Sequence, residues 1–70
     1  MTKEQAKLIL DFARCDMNRS KVGKEMYLNS TTVRYRLQNI KKEYGLNPER
    51  LYDLCRLVVI AVGVMEANGE

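Results

Sequence analysis

The sequence predicts a small all-α domain built from four helices. Apolar residues recur at helical spacing in four segments, and residues able to cap helices stand between those segments. The one segment rich in β-branched residues, at 57–65, has no second strand with which to pair. A chain of 70 residues allows one domain, spanning 1–70, whose core is barely large enough to fold alone.

The first helix is predicted over about residues 3–15. Thr2 and Gln5 have capping-box spacing at its start. At about 100° per residue it has two apolar sides. One side consists of Leu8, Ile9, Phe12 and Cys15, and the other consists of Ala6, Leu10 and Ala13. We expect the first side to face the core and the second to face a partner, while Asp11 stays on the polar surface.

A short helix and a longer one are predicted at about residues 19–26 and 30–44. Asn18 and Asn29 precede them as N-caps. Gly45 is expected to end the longer helix in the left-handed backbone conformation. Only residues 27–29 remain as a turn between them. Val22 and Met26 are expected to be buried, and Gly23 to mark close approach of the next helix. The core face of the longer helix is Val33, Leu37, Ile40 and Tyr44.

A fourth helix is predicted over about residues 48–66, with Asn47 as N-cap and Pro48 in the first helical position. Its expected inward stripe is Leu51, Leu54, Cys55, Val58, Val62 and Met65. Ile60 and Val64 project away from that stripe. Together with the second side of the first helix they form the expected dimer or partner surface, namely Ala6, Leu10, Ala13, Ile60 and Val64.

The positive charge of the chain is concentrated in one block. The formal net charge is +3, but residues 18–42 contain seven Lys and Arg and only one acidic residue. A basic block on an otherwise slightly acidic chain is typical of proteins that bind a polyanion, most often nucleic acid. An ordinary solvated face could have the same composition.

The chain lacks the residues that several classes of protein function require. The chain has no histidine and only Cys15 and Cys55, so neither a zinc site nor a cofactor is expected. Both cysteines are expected to be free, buried thiols of a cytoplasmic protein. The longest apolar run, at 57–65, is about half the length that a bilayer requires, so no membrane span is expected. An enzyme is not expected, because no glycine-rich phosphate loop and no nucleophile beside a base is present.

A short helix, a three-residue turn and a longer helix with a polar, basic outer side are typical of a DNA-reading helix-turn-helix. Its second helix enters the major groove of double-stranded DNA by its amino-terminal end. The side chains expected to reach base edges are Asn29, Ser30, Thr31, Arg34, Tyr35 and Gln38. Those expected to contact phosphates are Ser20, Lys21, Lys24, Thr32, Lys41 and Lys42.

The segment "STTVRYRLQNIKKEYGL" resembles the pattern "RNTLRYRLRRIEELTGL" at the end of the carboxy-terminal helix-turn-helix of PucR-type transcriptional regulators, which include sugar-diacid regulators. The resemblance runs from Asn18 to about Met65. It implies operator DNA binding, by a chain that is either a fragment of a longer regulator with an amino-terminal ligand-sensing region or a stand-alone version of the DNA-binding module. Ser30 and Thr31 replace an Arg and an Asn that are frequent in the family, so the bases read are not predicted. Met17 replaces a frequent Gly.

The main alternative is a helical protein-interaction or dimerisation module that does not bind DNA. On that interpretation the basic side is an ordinary solvated surface and the apolar partner surface is the functional one. RNA binding ranks lower, because Tyr35 is the one aromatic residue on the outer side. Arg36 lies nearer the core and is expected to pair with an acidic residue of the first or fourth helix. A symmetric homodimer is expected from the surplus apolar sides.

Overall fold

The computed structural model describes residues 1–68, and this part of the chain forms four helices and no strand. The helices are α1 (Lys3–Arg14), α2 (Arg19–Met26), α3 (Ser30–Tyr44) and α4 (Leu51–Asn68). The all-α prediction is therefore confirmed. Helices α2 and α3 have the limits expected from the sequence, whereas α4 begins three residues later than expected.

Helix α1 is the centre of the fold. It packs along α4 on one side and against the α2–α3 pair on the other, while α3 and α4 do not approach each other closely. Both apolar sides of α1 are therefore covered within the chain. The buried core consists of Ala6, Leu8, Ile9, Phe12, Cys15, Val22, Val33, Leu37, Ile40, Leu54, Leu57 and Ala61.

The prediction that α1 carries a partner surface is wrong. Ala6 is fully buried, and Leu10 and Ala13 are half-buried and pack against the core. The second apolar side is therefore largely covered by other parts of the same chain. Asp11, expected on the polar surface, is also buried and forms ion pairs with the exposed residues Lys7 and Arg14.

The helix ends follow the capping residues of the sequence. Thr2 and Gln5 form the capping box of α1. The side chain of Asn18 accepts hydrogen bonds from the amides of Ser20 and Lys21 at the start of α2. Gly45 ends α3 in the left-handed conformation, with φ of 69°. These three predictions are confirmed, because capping depends on residues within one helical turn.

Helix α1 ends in a Schellman motif made without glycine. The amide of Met17 donates to the carbonyl of Phe12, and the amide of Asp16 donates to that of Ala13. Asp16 and Met17 both have left-handed backbone conformations, with φ of 57° and 63°. The frequent glycine of the PucR-type pattern is thus replaced by Met17 at a position where a side chain is strained.

The start of α4 differs from the prediction because residues 47–50 form a separate turn. The amide of Arg50 donates to the carbonyl of Asn47, and the amide of Glu49 donates to its side-chain oxygen. Pro48 is buried in this turn and is not the first residue of the helix. The carboxylate of Asp53 accepts from the amide of Asn47 and fixes the turn to α4.

The inward face of α4 is rotated by roughly 70° from the predicted stripe, at about 100° per residue. Leu57 and Ala61 are fully buried, and neither was predicted to face inward. Val64, expected to project outward, is half-buried and packs against the core. Three residues expected in the core are instead exposed: Leu51, Cys55 and Val62. The expectation of two buried cysteines is therefore wrong for Cys55, although both cysteines are free.

Gly23 lies against the turn, not against the next helix. A Cβ atom at Gly23 would lie 2.5 Å from the carbonyl oxygen of Leu28. Leu28 precedes α3, so the expected close approach is present but its partner is the backbone of the turn.

Candidate nucleic-acid interface

Helix α3 is held by one face and presents the opposite face to solvent. Val33, Leu37 and Ile40 are buried, as predicted, and Tyr44 is half-buried. The six side chains predicted to reach bases are all exposed: Asn29, Ser30, Thr31, Arg34, Tyr35 and Gln38. The fold therefore leaves the whole set accessible on the amino-terminal two-thirds of α3 and the residue before it.

The amino-terminal end of α3 offers free backbone donors. The side-chain oxygen of Asn29 accepts the amide of Thr32 at 2.8 Å. The amides of Ser30 and Thr31 have no acceptor within residues 1–68. Exposed amides at a helix start, reinforced by the helix dipole, favour an anion such as a phosphate. Because the side-chain oxygen of Asn29 is used by the cap, its NH₂ group is what remains for a ligand.

Two shallow polar grooves flank the start and the middle of α3. The first joins the starts of α2 and α3, because Ser20 and Ser30 both line it together with Asn18 and Arg19. The second brings Gln38 and Lys41 next to the turn that contains Pro48. The structure thus groups Ser20, a predicted phosphate contact, with Ser30, a predicted base contact.

Glu49 borders both grooves and was not predicted to belong to the site. Its carboxylate pairs with the guanidinium of Arg19 at 2.6 Å, and both side chains are a little over one-third exposed. This pair neutralises Arg19, so that cation is not free for a phosphate. In the sequence, Glu49 stands where an acidic residue favours the start of a helix, and this position gives no indication of a neighbour in space.

Five of the other six basic side chains of the block are exposed and have no ion-pair partner in the described part of the chain. They are Lys21, Lys24, Arg34, Lys41 and Lys42. No acidic residue occurs from Met26 to Lys42. The surface around α3 therefore combines unpaired cations with free amides, which suits a polyanion with regularly spaced charges.

Three other residues bear on this surface. Arg36 is half-buried in a cleft beside Glu4 and Gln5 of α1 but forms no ion pair with any residue that the structure describes. Thr32, expected to reach a phosphate, is half-buried. Tyr27 lies in the predicted turn, and its side chain is 95% exposed in a left-handed backbone conformation close in sequence to the predicted base-reading residues.

The described residues hold no feature of a metal site or of a membrane span. No group of three His, Cys, Asp or Glu side chains that could bind a metal ion occurs among them. No helix in residues 1–68 is long and apolar enough to cross a bilayer. Burial raises the pKa of the Cys15 thiol above its ordinary value, and the nearby carboxylates of Glu25 and Asp11 raise this pKa further.

Comparison with known proteins agrees with this geometry. The family model of the PucR C-terminal helix-turn-helix domain matches residues 7–60, which include α2, the turn, the whole of α3 and most of α4. No curated protein and no solved structure matches the chain. The family is a DNA-binding regulatory family and not an enzymatic one. Its match over more than half of the chain means that the protein belongs to the PucR C-terminal helix-turn-helix family.

Proposed function

We propose that this chain is the sequence-specific double-stranded DNA-binding module of a bacterial transcriptional regulator. The observation that carries the proposal is the exposed face of α3, which combines potential base-reading side chains with unpaired cations and contains no acidic residue before Glu43. The second helix of a helix-turn-helix reads the major groove with such a face. The cytoplasm is the compartment that this function requires.

Within the proposed complex the side chains have two kinds of role. Arg34 and Gln38 have the donors for bidentate contacts with guanine and adenine, respectively, and Thr31 offers a hydroxyl and a methyl group. Asn29, Ser30 and Tyr35 lie beside them. The sugar-phosphate backbone is contacted by Ser20, Lys21, Lys24, Thr32, Lys41 and Lys42. These latter contacts hold the register of the protein on DNA and do not discriminate between sequences.

Two copies acting on a two-part site would double this contact surface. A symmetric dimer binds half-sites about one helical turn of DNA apart. An amino-terminal ligand-sensing region would control such a dimer in a longer regulator. A pure protein-interaction module remains the second candidate, because α4 exposes Leu51, Tyr52 and Val59, each at least 69% exposed.

The decisive experiment measures the binding of labelled DNA duplexes by fluorescence anisotropy at several salt concentrations. We expect log K to fall by several units per decade of salt, at about 0.9 for each phosphate neutralised. Lys42→Ala should weaken binding to all duplexes alike and flatten the salt slope by about 1 for each copy bound. Absence of binding at low salt by a folded sample would refute the proposal.

Sequence readout is tested separately, with operator duplexes selected from a random pool. Arg34→Ala should reduce the preference for the selected duplex over a scrambled one by about 1–3 kcal/mol. Lys42→Ala is the matched control, because it removes a cation from the same helix without changing base preference. Equal losses on both duplexes for Arg34→Ala would remove Arg34 from the readout role.

A further inference from the structure

The side of α4 that faces away from α1 is apolar. Leu51, Cys55, Val59 and Val62 recur on it at helical spacing, and Tyr52 lies beside Val59. Leu51 is 69% exposed, and Tyr52 and Val59 are each 73% exposed. Scattered exposed apolar residues are ordinary, but a continuous row along a helix marks a surface that another molecule covers. We call this surface the outer α4 face.

The glycine on the outer α4 face has no explanation within one copy of the chain. A Cβ atom at Gly63 would meet nothing within 4 Å, in contrast to Gly23, where it would meet the backbone of Leu28. Glycine inside a helix weakens that helix relative to alanine. A small residue on an exposed helix face allows the backbone of a second helix to come close. Gly63 thus points to a helical partner on this face.

The charges of the outer α4 face make it complementary to itself. Arg56 and Glu66 are the two charged residues on the face, and neither forms an ion pair with another described residue. They lie ten residues apart, about 15 Å along the axis, with Val59 and Gly63 between them. A second α4 running in the opposite direction therefore places its Glu66 against Arg56, and its Arg56 against Glu66.

We propose that a second copy of this chain binds the outer α4 face from Cys55 to Glu66, with the two α4 helices antiparallel and each Arg56 paired with Glu66 of the other copy. The contact is isologous, as a two-fold dimer requires, and its shallow crossing angle is that of ordinary helical bundles. Helix α3 takes no part in this contact. The dimer belongs to the proposed function, so this inference rests on that function and supplies its interface.

The association is tested without DNA, by sedimentation equilibrium over a range of protein concentrations. The wild-type chain should change from the mass of one copy to that of two as concentration rises. Val59→Asp should weaken association at least tenfold while helical content is retained, because Val59 is exposed and carries no core packing. Tyr27→Asp is the matched control, since Tyr27 is also exposed but lies off α4. It should not change the dissociation constant.

Charge reversal tests the pairing itself. Arg56→Glu and Glu66→Arg should each weaken self-association about tenfold, because each variant places like charges opposite each other. A mixture of the two single variants should associate as well as wild type, since both pairs are then opposite in sign. Reaction of the exposed Cys55 with a thiol reagent should slow as copies associate.

The outcomes separate this inference from DNA binding. A wild-type chain that keeps the mass of one copy up to about 1 mM, where an interaction is worth only about 4 kcal/mol, would overturn the dimer. The face would then belong to another protein or domain. Dimers that the mixed charge variants fail to restore would overturn the antiparallel arrangement. Both results are independent of the anisotropy titration, whose failure would instead refute the proposed DNA-binding role.

Discussion

Replacing Gly23 with alanine tests whether the contact between α2 and the turn sets the geometry of the helix-turn-helix. The new Cβ atom would lie 2.5 Å from the carbonyl oxygen of Leu28, so reaching an ordinary contact of at least 3.4 Å requires a shift of about 0.9 Å. The amide of Leu28 donates to the carbonyl of Gly23 at 2.7 Å. The turn is therefore fixed to α2 at the residue that would have to move.

The expected loss follows from three contributions. Overpacking against backbone costs about 1–3 kcal/mol. Weakening the hydrogen bond from Leu28 costs a further 0.5–1.5 kcal/mol, roughly. Alanine regains about 1 kcal/mol of helix stability relative to glycine. We therefore expect the free energy of unfolding to fall by about 2 kcal/mol, which corresponds to roughly 8–16 °C in Tm for a domain of this size.

Gly63→Ala is the matched control, because it is the same chemical change inside another helix. A Cβ atom at Gly63 meets nothing within 4 Å, so this variant should gain roughly 0.5–1 kcal/mol. Urea unfolding followed by circular dichroism measures both, at a concentration where the wild-type chain is a single copy. A Gly23→Ala variant as stable as Gly63→Ala would refute the argument from close approach.

Three further predictions follow from the same structure. Asp16→Asn should raise the unfolding free energy by about 0.5–1 kcal/mol in thermal melts, because asparagine tolerates the left-handed conformation and the change removes a negative charge from the carboxy-terminal end of α1; a lower Tm would contradict this. Glu49→Gln should tighten DNA binding and steepen the salt slope by about 1 per copy in anisotropy titrations, because it releases Arg19; an unchanged slope would show that Arg19 stays away from phosphates. In native protein the exposed thiol of Cys55 should react rapidly with a thiol reagent, whereas the buried thiol of Cys15 should react only on unfolding. Because burial raises the pKa of Cys15 in the folded state, the free energy of unfolding should fall as pH rises above the ordinary thiol value of 9.0. Rapid reaction of two thiols without denaturant would contradict the burial of Cys15.

The residues around the turn show how far sequence reasoning reaches. The limits of α2 and α3, the caps at Asn18 and Asn29, and the stop at Gly45 all agree with the structure. Each depends on hydrogen bonds between residues at most four positions apart. The exposed face of α3 was equally predictable. Val33, Leu37 and Ile40 lie on one side of the helix, so that side must be buried and the opposite side exposed.

Helices α1 and α4 show what the sequence left open. Both have apolar residues on more than one side, so periodicity cannot say which side a neighbour covers. The packing of α1 between α4 and the α2–α3 pair buried Ala6 and Asp11, which local patterns placed at the surface. The same packing turned Leu57 and Ala61 inward and left Val59 in solvent.

The sequence by itself therefore determined the helices, their caps, the three-residue turn and the basic, exposed face of α3. Only the tertiary structure decided which apolar sides are buried, that Arg19 is neutralised by Glu49, and that Gly23 abuts the turn. The physical reason is the range of the interactions. Capping and helical periodicity act within about four residues, whereas burial and ion pairing depend on which helices meet after the chain has closed on itself.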